Sequence, residues 1–312
     1  MGKGEVHKKH HYVPKCYLNQ FGHSNGKVKN EKFGLFVYNI EKNSQYTQST
    51  EDVCYKNYLY FLSKEYIDKL SDSQINELSL ECDYLAGYVE YNLDIILSEL
   101  KRRKEICICD KARTFPMLNN DKELIAKQII IQYFRHPNIR KDILSLDHYI
   151  TTKASRLFKY GLSKELNNPE INKINLDVKQ FEVETHAYHS FLNDKLVNEL
   201  ATKLVADNWM FVYSQNNEIC TSDNPVVCLG KTFEGRLSKC NLDLNTKMVL
   251  YAISPDLLLL IFDKNSFTCS DLTFGEITDE CFEIYHNALF KNSNNIFCYN
   301  NKFEYFKKLN NG

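Results

Sequence analysis

The chain has 312 residues, is 43% hydrophobic, and carries 39 basic and 40 acidic side chains, for a net charge of −1. This length and hydrophobic content are sufficient for a substantial core in one large or two modest domains. The balanced charge excludes a uniformly basic protein of the kind that coats nucleic acid or binds a membrane surface. A site for a polyanion must therefore be a local patch.

No apolar run approaches the roughly 18 residues of a membrane span, and the charged N-terminus lacks the apolar core of a signal peptide. We therefore expect a cytoplasmic protein without a membrane partner. The eleven cysteines include no Cys-x-x-Cys pair, and most of them lie among apolar residues. This pattern favours buried free thiols in a reducing compartment over a metal site.

The first part of the chain, residues 1–62, is predicted to contribute β-strands. Residues 33–40 are dense in aromatic and β-branched types, and residues 46–49 and 58–62 are weaker strand candidates.

Ahead of these strands, His10 and His11 precede Tyr-Val-Pro and then the apolar Tyr17, Leu18 and Phe21. We predict that this segment is packed against the body of the protein, with its imidazoles at the edge of a site.

The middle of the chain, residues 63–207, is predicted to be helical. Apolar residues recur every three or four positions from Ile75 to Arg102, which indicates one amphipathic helix. A second helix begins near Asn119 and is expected to kink or end at Pro137, because proline cannot donate a helical hydrogen bond. Further helices are predicted over residues 139–160 and 181–206.

The last part, residues 208–312, is predicted to be rich in β-structure. Short strands are expected over residues 209–214, 218–221, 226–229, 248–251, 257–262 and 296–299, with one helix over 275–290. Because helices and strands are segregated along the chain, we predict a single α+β unit and not an alternating α/β sheet.

Several familiar catalytic motifs are missing. The chain contains no glycine-rich phosphate loop, no G-x-S-x-G turn and no H-E-x-x-H helix. These absences argue against P-loop ATPases, Rossmann oxidoreductases, α/β-hydrolases and zinc proteases.

Two short polar stretches are candidates for a site. Asp223 and Asn224 lie in Thr-Ser-Asp-Asn-Pro between two apolar strands, where they could close an Asx turn or present a carboxylate and a carboxamide to a ligand. Gln128, Gln132 and Arg135 share one helix face, either as solvent-facing polar residues or as a site where Arg135 binds a phosphate or carboxylate.

Two histidine-containing stretches suggest alternatives. His186 and His189 lie on adjacent helical turns and could bind a metal, but the sequence offers no third ligand. His10 and His11 before a proline also resemble the start of a ββα-metal nuclease motif, although the strands predicted over residues 33–62 occupy the place of its helix.

The motifs together resemble the bacterial domain-of-unknown-function 4238 family over roughly residues 8–300. The resemblance rests on His-His-Tyr-Val-Pro and Thr-Ser-Asp-Asn-Pro, supported by the aromatic strand, a Leu-Ser-x-x-Glu helix and Arg-His-Pro. It implies that the polar motif positions meet at one site, and it favours nucleic acid as the partner, since such families are common among bacterial defence genes. Those positions are His11, Pro14, Glu81, Arg135, Asp223 and Asn224.

Our leading hypothesis is a hydrolase, most concretely a metal-assisted phosphodiesterase or nuclease in defence against mobile elements. Glu81 and Asp223 would hold Mg²⁺ or Mn²⁺, His11 would act as the general base, and Arg135 would stabilise the transition-state charge. Asn224 is a further catalytic candidate, and His10 and Gln128 are candidates for substrate binding. The competing hypothesis is a non-catalytic binding module whose polar motifs form a structural network.

Overall fold

A computed structural model describes residues 8–24, 33–70, 74–175, 181–231 and 237–311. It has 48% helix and 21% strand, with small strands first, helices in the middle and sheets at the end. The predicted α+β class is therefore confirmed. None of the helices in the described ranges is long and apolar enough to cross a membrane.

The N-terminal strands begin with a two-stranded pair that positions the histidine segment. Strand β1 (Lys9–His11) pairs with β5 (Tyr55–Asn57), and helix α1 (Lys15–Gln20) follows Pro14. The remaining strands of this part are β2 (His23–Ser24), β3 (Phe33–Asn39) and β4 (Ser44–Ser49).

The predicted strand over residues 58–62 is wrong, because the pairing strand β5 ends at Asn57. Tyr58 adopts a φ of 57°, which turns the backbone out of the extended conformation that a strand requires.

The helical middle contains one long helix with an unusual start. Residues Leu80–Glu90 form a π-helix that continues directly into helix α3 (Tyr91–Cys109). Helix α4 follows, and the chain turns at His136 because the residue before a proline avoids helical geometry. The helices of this part are α2 (Lys64–Ile67), α3, α4 (Asn119–Phe134), α5 (Pro137–Glu165), α6 (Glu182–Tyr188) and α7 (Asp194–Ala206).

Two helix boundaries differ from the predictions. Helix α5 continues through Gly161 to Glu165, and Asn167 beyond it adopts a φ of 47°, the left-handed conformation common after helix ends. The helix predicted over residues 181–206 is two helices, because Asn193 accepts a hydrogen bond from the amide of Leu196 and starts α7 anew.

The C-terminal part forms one sheet by itself and contributes two strands to a second. The larger has the strand order β12-β6-β11-β10-β8-β9 and is antiparallel except between β12 and β6. Its central strands β10 and β11 are apolar and almost entirely buried, as is usual for strands covered on both faces. The elements of this part are β6 (Asn208–Tyr213), β7 (Thr221–Ser222), β8 (Val226–Lys231), β9 (Leu237–Lys239), β10 (Met248–Ser254), β11 (Leu257–Phe262), β12 (Thr273–Glu276), α8 (Asp279–Asn292), β13 (Asn295–Cys298) and α9 (Glu304–Asn311).

The second sheet joins the two ends of the chain. Its order is β2-β3-β13-β7, with β4 also paired to β3, so an N-terminal strand lies beside a C-terminal one. A disulfide between Cys220 and Cys298 links the chain just before β7 to the last residue of β13. The expectation of free thiols is therefore wrong for these two residues, whereas the other nine cysteines are free.

Candidate functional site

The histidine segment is packed against the body of the protein, as the sequence predicts. Val13, Tyr17, Leu18 and Phe21 are fully buried. The Tyr17 hydroxyl lies 2.7 Å from the Thr221 hydroxyl and donates to the Ala252 carbonyl at 2.9 Å. Two of the sequence motifs are therefore in direct contact at Tyr17 and Thr221.

Arg135 lies at the centre of a buried polar group of residues. It follows the last residue of α4, and its side chain is only 1% exposed. Its Nη2 donates to Glu90 Oε1 at 2.8 Å and to the His11 backbone carbonyl. The guanidinium also lies over the Tyr60 ring, 5.6 Å from its centroid, where a cation–π attraction adds to the ion pair.

The π-helix positions two carboxylates near this guanidinium. Glu81 and Glu90 are nine residues apart, and in an α-helix with 3.6 residues per turn they would lie on opposite faces. The wider π turn, closed by hydrogen bonds to the fifth residue along, brings both to the side that faces Arg135.

The charges in this group shift one another's protonation. Burial raises the pKa of Glu81 to about 7, and Glu90 adds to that effect while Arg135 opposes it. Burial lowers the pKa of His11, where Arg135 and Lys15 act in the same direction and Glu90 opposes. Near neutral pH, the Glu81 carboxyl is therefore partly protonated, and the His11 imidazole is neutral.

Arg135 itself stays charged although it is buried. Burial disfavours its cation, but the ion pair with Glu90, with further contributions from Tyr60 and Glu81, holds its pKa above the usual value.

We use the term central cluster for His11, Glu81, Glu90, Gln132 and Arg135. Buried atoms of this cluster lack a hydrogen-bond partner among the described residues: His11 Nε2, Glu81 Oε2, Gln132 Oε1, and Arg135 Nε and Nη1. Unpaired buried polar atoms are uncommon because each one costs about 1–3 kcal/mol. The cluster is thus equipped to bind a small polar group or water.

Both glutamines on the Arg135 face point inward and not to solvent. Gln132 donates from Nε2 to the Tyr12 carbonyl at 3.1 Å, and the Oε1 atom of Gln128 is buried without a partner in the described chain. The predicted shared face of Gln128, Gln132 and Arg135 is therefore a buried polar face.

His10 lies away from any open surface. It is fully buried, its Nδ1 accepts the Tyr60 amide at 2.9 Å, and its ring stacks on that of Tyr60 at 6.1 Å. These contacts fix β1 against the loop after β5, and the role of His10 in substrate binding stays a prediction.

Asp223 has its carboxylate occupied by neighbouring backbone and side chain. Oδ1 accepts the Asn294 amide at 3.0 Å, and Oδ2 accepts the Asn295 side-chain amide at 3.0 Å. Burial nevertheless raises the pKa of this carboxyl, although those hydrogen bonds counteract it. The Asp223 carboxylate therefore holds its turn against the start of β13 by these hydrogen bonds. Asn224 beside it lines a separate cavity with His136.

The two predicted metal ligands have different neighbours. The charged neighbours that shift Glu81 are Arg135 and Glu90, and the carboxylate of Asp223 is bonded to residues 294 and 295. Within the described ranges, no group of three or more His, Cys, Asp and Glu side chains is arranged to hold a metal ion. His186 and His189 are likewise separated, since the first binds the Phe134 carbonyl and the second lies 3.3 Å from Asp147.

Sequence reasoning missed Glu90. An α-helical reading places it opposite Glu81, and its contribution is visible only once the π-helix is known. No motif in the sequence marks that change of helical pitch.

No curated protein and no solved structure matches this chain. A family model described as "Protein of unknown function (DUF4238)" matches residues 9–303, which is nearly the whole chain. The chain therefore belongs to this family.

Proposed function

We propose that this protein is a hydrolase of phosphodiester bonds and that the central cluster is its acid–base site. The observation that carries the proposal is the set of unpaired buried atoms on His11, Glu81 and Arg135. A base, a proton donor and a cation, each with an unpaired buried atom, form the group that such a hydrolysis requires.

Each member has a role that follows from its protonation. His11, with a lowered pKa, has a neutral imidazole whose unpaired Nε2 accepts a proton from water. Glu81, with a pKa of about 7, retains a proton that it gives to the leaving oxygen. Arg135 offers Nε and Nη1 to the charge that develops on the phosphoryl oxygens.

Access to the cluster is through its half-buried members. The side chain of Glu90 is 18% exposed, and His11 is also partly exposed, whereas Arg135 lies behind them. A reacting phosphoryl group would enter beside His11 and displace water from the guanidinium.

A divalent cation, Mg²⁺ or Mn²⁺, remains part of the proposal as an activator of the attacking water. Because Glu81 acts as the proton donor and both Asp223 oxygens accept hydrogen bonds, Glu90 is the carboxylate of this cluster that would bind the cation. Nucleic acid is the proposed partner, in a role in bacterial defence.

A second candidate is a non-catalytic module in which the same residues form a structural network. It is favoured by the burial of Arg135 and by its hydrogen bond to the His11 carbonyl, which joins residues 124 positions apart in the sequence.

The test is cleavage of single- and double-stranded DNA and RNA, with Mg²⁺, with Mn²⁺ and with a chelator. We expect Glu81→Gln to lower the rate by about 10²–10⁴, because the glutamine amide cannot supply the proton. Asp83→Asn is the matched control, since it removes one carboxylate charge from an exposed position of the same helix and should leave the rate unchanged.

The outcome also separates the two candidates. If wild-type protein cleaves none of the substrates in any metal condition while Glu81→Gln only changes the melting temperature, the structural network is correct. Equal cleavage by Glu81→Gln and Asp83→Asn would rule out the acid–base role.

A further inference from the structure

A basic cleft opens beside the start of α5. Its volume is about 700 Å³, and the cationic or ionisable side chains that line it are Lys56, Arg140, Lys141 and His148. Glu182 also lines it, 3.6 Å from Arg140 with 68% of its side chain exposed. Four basic side chains face a single carboxylate here, in a chain whose net charge is −1.

A smaller cavity adjoins the cleft, and we call it the amide pocket. Its volume is about 350 Å³, and it is lined by His136 and by four asparagines, namely Asn138, Asn224, Asn241 and Asn292. Lys141 lines both cavities, so they lie next to each other at this residue. Lys239 and Asp142 complete the charged lining of the pocket.

The lysines around these cavities are available to a ligand. Lys56, Lys141 and Lys239 are exposed, and within the described ranges none of them forms an ion pair. Other lysines of the chain do, for example Lys122 with Asp271 and Lys247 with Asp263. Three unneutralised ammonium groups on one surface are a local site for a polyanion.

His136 lines the amide pocket as a neutral donor. Its pKa is lowered to about 4, chiefly by burial, and the nearby charges of Lys239 and Lys56 act in the same direction. Its Nδ1 accepts the Asn138 amide at 3.3 Å, so the ring proton resides on Nε2. Both lysines therefore lie close enough to His136 for their positive charges to disfavour its protonation.

The amide pocket also contains an unpaired buried atom. Asn292 Oδ1 has no hydrogen-bond partner in the described chain, while the Asn224 side-chain amide donates to the Asn292 carbonyl at 3.2 Å. Side-chain amides offer a donor and an acceptor side by side, which is the pattern that reads the edge of a nucleobase.

The start of α5 adds a further attraction for phosphate. This helix has 29 residues and no acidic residue in its first turn, and its first residues line both cavities. Helix N-termini carry a partial positive charge that favours anions.

From these features we propose that the surface binds single-stranded nucleic acid, with its phosphates along the basic cleft and one base inside the amide pocket. A single strand is required because a base in a duplex is paired and stacked, and only an unstacked base can enter a pocket of this size. The proposal rests on the proposed function in one respect, since it names the substrate class of that hydrolase.

The first test is fluorescence anisotropy with a labelled single-stranded oligonucleotide in the presence of a chelator, over a series of salt concentrations. The variant carries Lys56→Gln, Lys141→Gln and Lys239→Gln together. Each phosphate contact in a single strand contributes about 0.7 to the slope of log K against log salt, so the slope should fall by about 2 and the affinity at 0.1 M salt by about 100-fold.

The control carries Lys153→Gln, Lys264→Gln and Lys302→Gln, three exposed lysines outside the cavities. It has the same net charge as the first variant and should bind nearly as the wild type. If the two triple variants bind equally, the cleft is not the binding surface.

The second test concerns the base. An oligonucleotide with an abasic site should bind about tenfold more weakly if the amides make one good set of base contacts. Asn138→Ala with Asn241→Ala should abolish that difference. Equal binding of abasic and intact strands by wild type, tighter binding of duplex, or equal competition by a nucleoside monophosphate would each overturn the proposal.

The binding assay and the cleavage assay give separate results, because binding is measured with a chelator present. If binding behaves as expected but no cleavage occurs, the hydrolase proposal fails and the binding proposal stands. If a small phosphodiester such as bis(p-nitrophenyl) phosphate is cleaved but the oligonucleotide is not bound, only the binding proposal fails.

Discussion

Burial and the charge of Arg135 act together on the protonation of Glu81 and His11. Its buried cation attracts Glu90 and restrains the pKa of Glu81, yet burial still holds that pKa at about 7. Burial lowers the pKa of His11, and repulsion from the same cation acts in that direction, so the imidazole is neutral. Burial, opposed by the guanidinium, thus makes Glu81 a group that titrates near neutral pH, while Glu90 forms the ion pair with Arg135.

The raised pKa of Glu81 makes the stability of the protein depend on pH. Its ordinary value is 4.5 and its folded value is about 7, so the folded protein retains a proton that the unfolded chain has lost. This contribution is fully present below about pH 4.5 and is lost as the pH rises through 7. We expect the free energy of unfolding to fall by a few kcal/mol from this cause, and Glu81→Gln should remove that fall.

The measurement is urea unfolding of wild type and Glu81→Gln between pH 5 and 8.5. The difference between the two curves isolates Glu81, because buried histidines such as His186 and His286 titrate equally in both proteins. Asp83→Asn, on the exposed side of the same helix, should leave the pH dependence unchanged. Parallel curves for wild type and Glu81→Gln would contradict the raised pKa.

At the scale of single residues, the sequence predicted the central cluster only in part. His11, Glu81 and Arg135 carry motif signals and lie together, whereas Glu90 has none. Asp223 was expected to bind a metal, but a carboxylate in a turn also satisfies nearby amides, and only the position of β13 reveals that Asn294 and Asn295 supply them.

At the scale of elements, the π-helix is the feature that the sequence could not reveal. Leu78, Cys82, Leu85, Val89 and Leu93 recur at three or four residues, which fits an ordinary α-helix. A π turn is a small rearrangement of backbone hydrogen bonds, and the charge interactions between Arg135 and the two glutamates form only in the folded protein. Helices with simple apolar periodicity, such as α4, were predicted nearly to their ends.

Gly87 provides a test of the π geometry. A Cβ atom built on this residue would lie 2.8 Å from the Cys82 carbonyl oxygen, which is backbone and cannot move aside alone. Gly87→Ala should therefore lower the free energy of unfolding, although alanine in an exposed α-helix is normally favoured over glycine by about 1 kcal/mol. The measurement is thermal and urea unfolding followed by circular dichroism.

Gly161→Ala is the matched control for this prediction. Gly161 lies in the α-helical α5, is exposed, and a Cβ atom there meets nothing within 4 Å. This substitution should stabilise the protein by up to about 1 kcal/mol. If both substitutions stabilise to the same extent, residues 80–90 form an ordinary α-helix in solution.

At the scale of the whole molecule, the N-terminal segment closes the fold by contacting parts that are distant in sequence. Tyr17 bonds Thr221 and Ala252 across 204 and 235 residues, and the Tyr12 carbonyl accepts from Gln132. The apolar spacing of the segment predicted that it would pack, but not where, because its partners are backbone carbonyls and hydroxyls that no pattern marks.

Removal of residues 1–22 should therefore destabilise the entire protein. Val13, Tyr17, Leu18 and Phe21 are fully buried, and each contributes about 1.5–3 kcal/mol, so their sum is comparable with the total stability of about 5–15 kcal/mol that is typical of a domain.

Trp209 is fully buried and donates from Nε1 to the Leu204 carbonyl at 2.7 Å, so its emission reports the loss of the native core. We expect the truncated protein to show a red-shifted emission maximum and a strongly lowered melting temperature or no cooperative transition. A normal melting curve for this deletion would show that the segment does not hold the fold together.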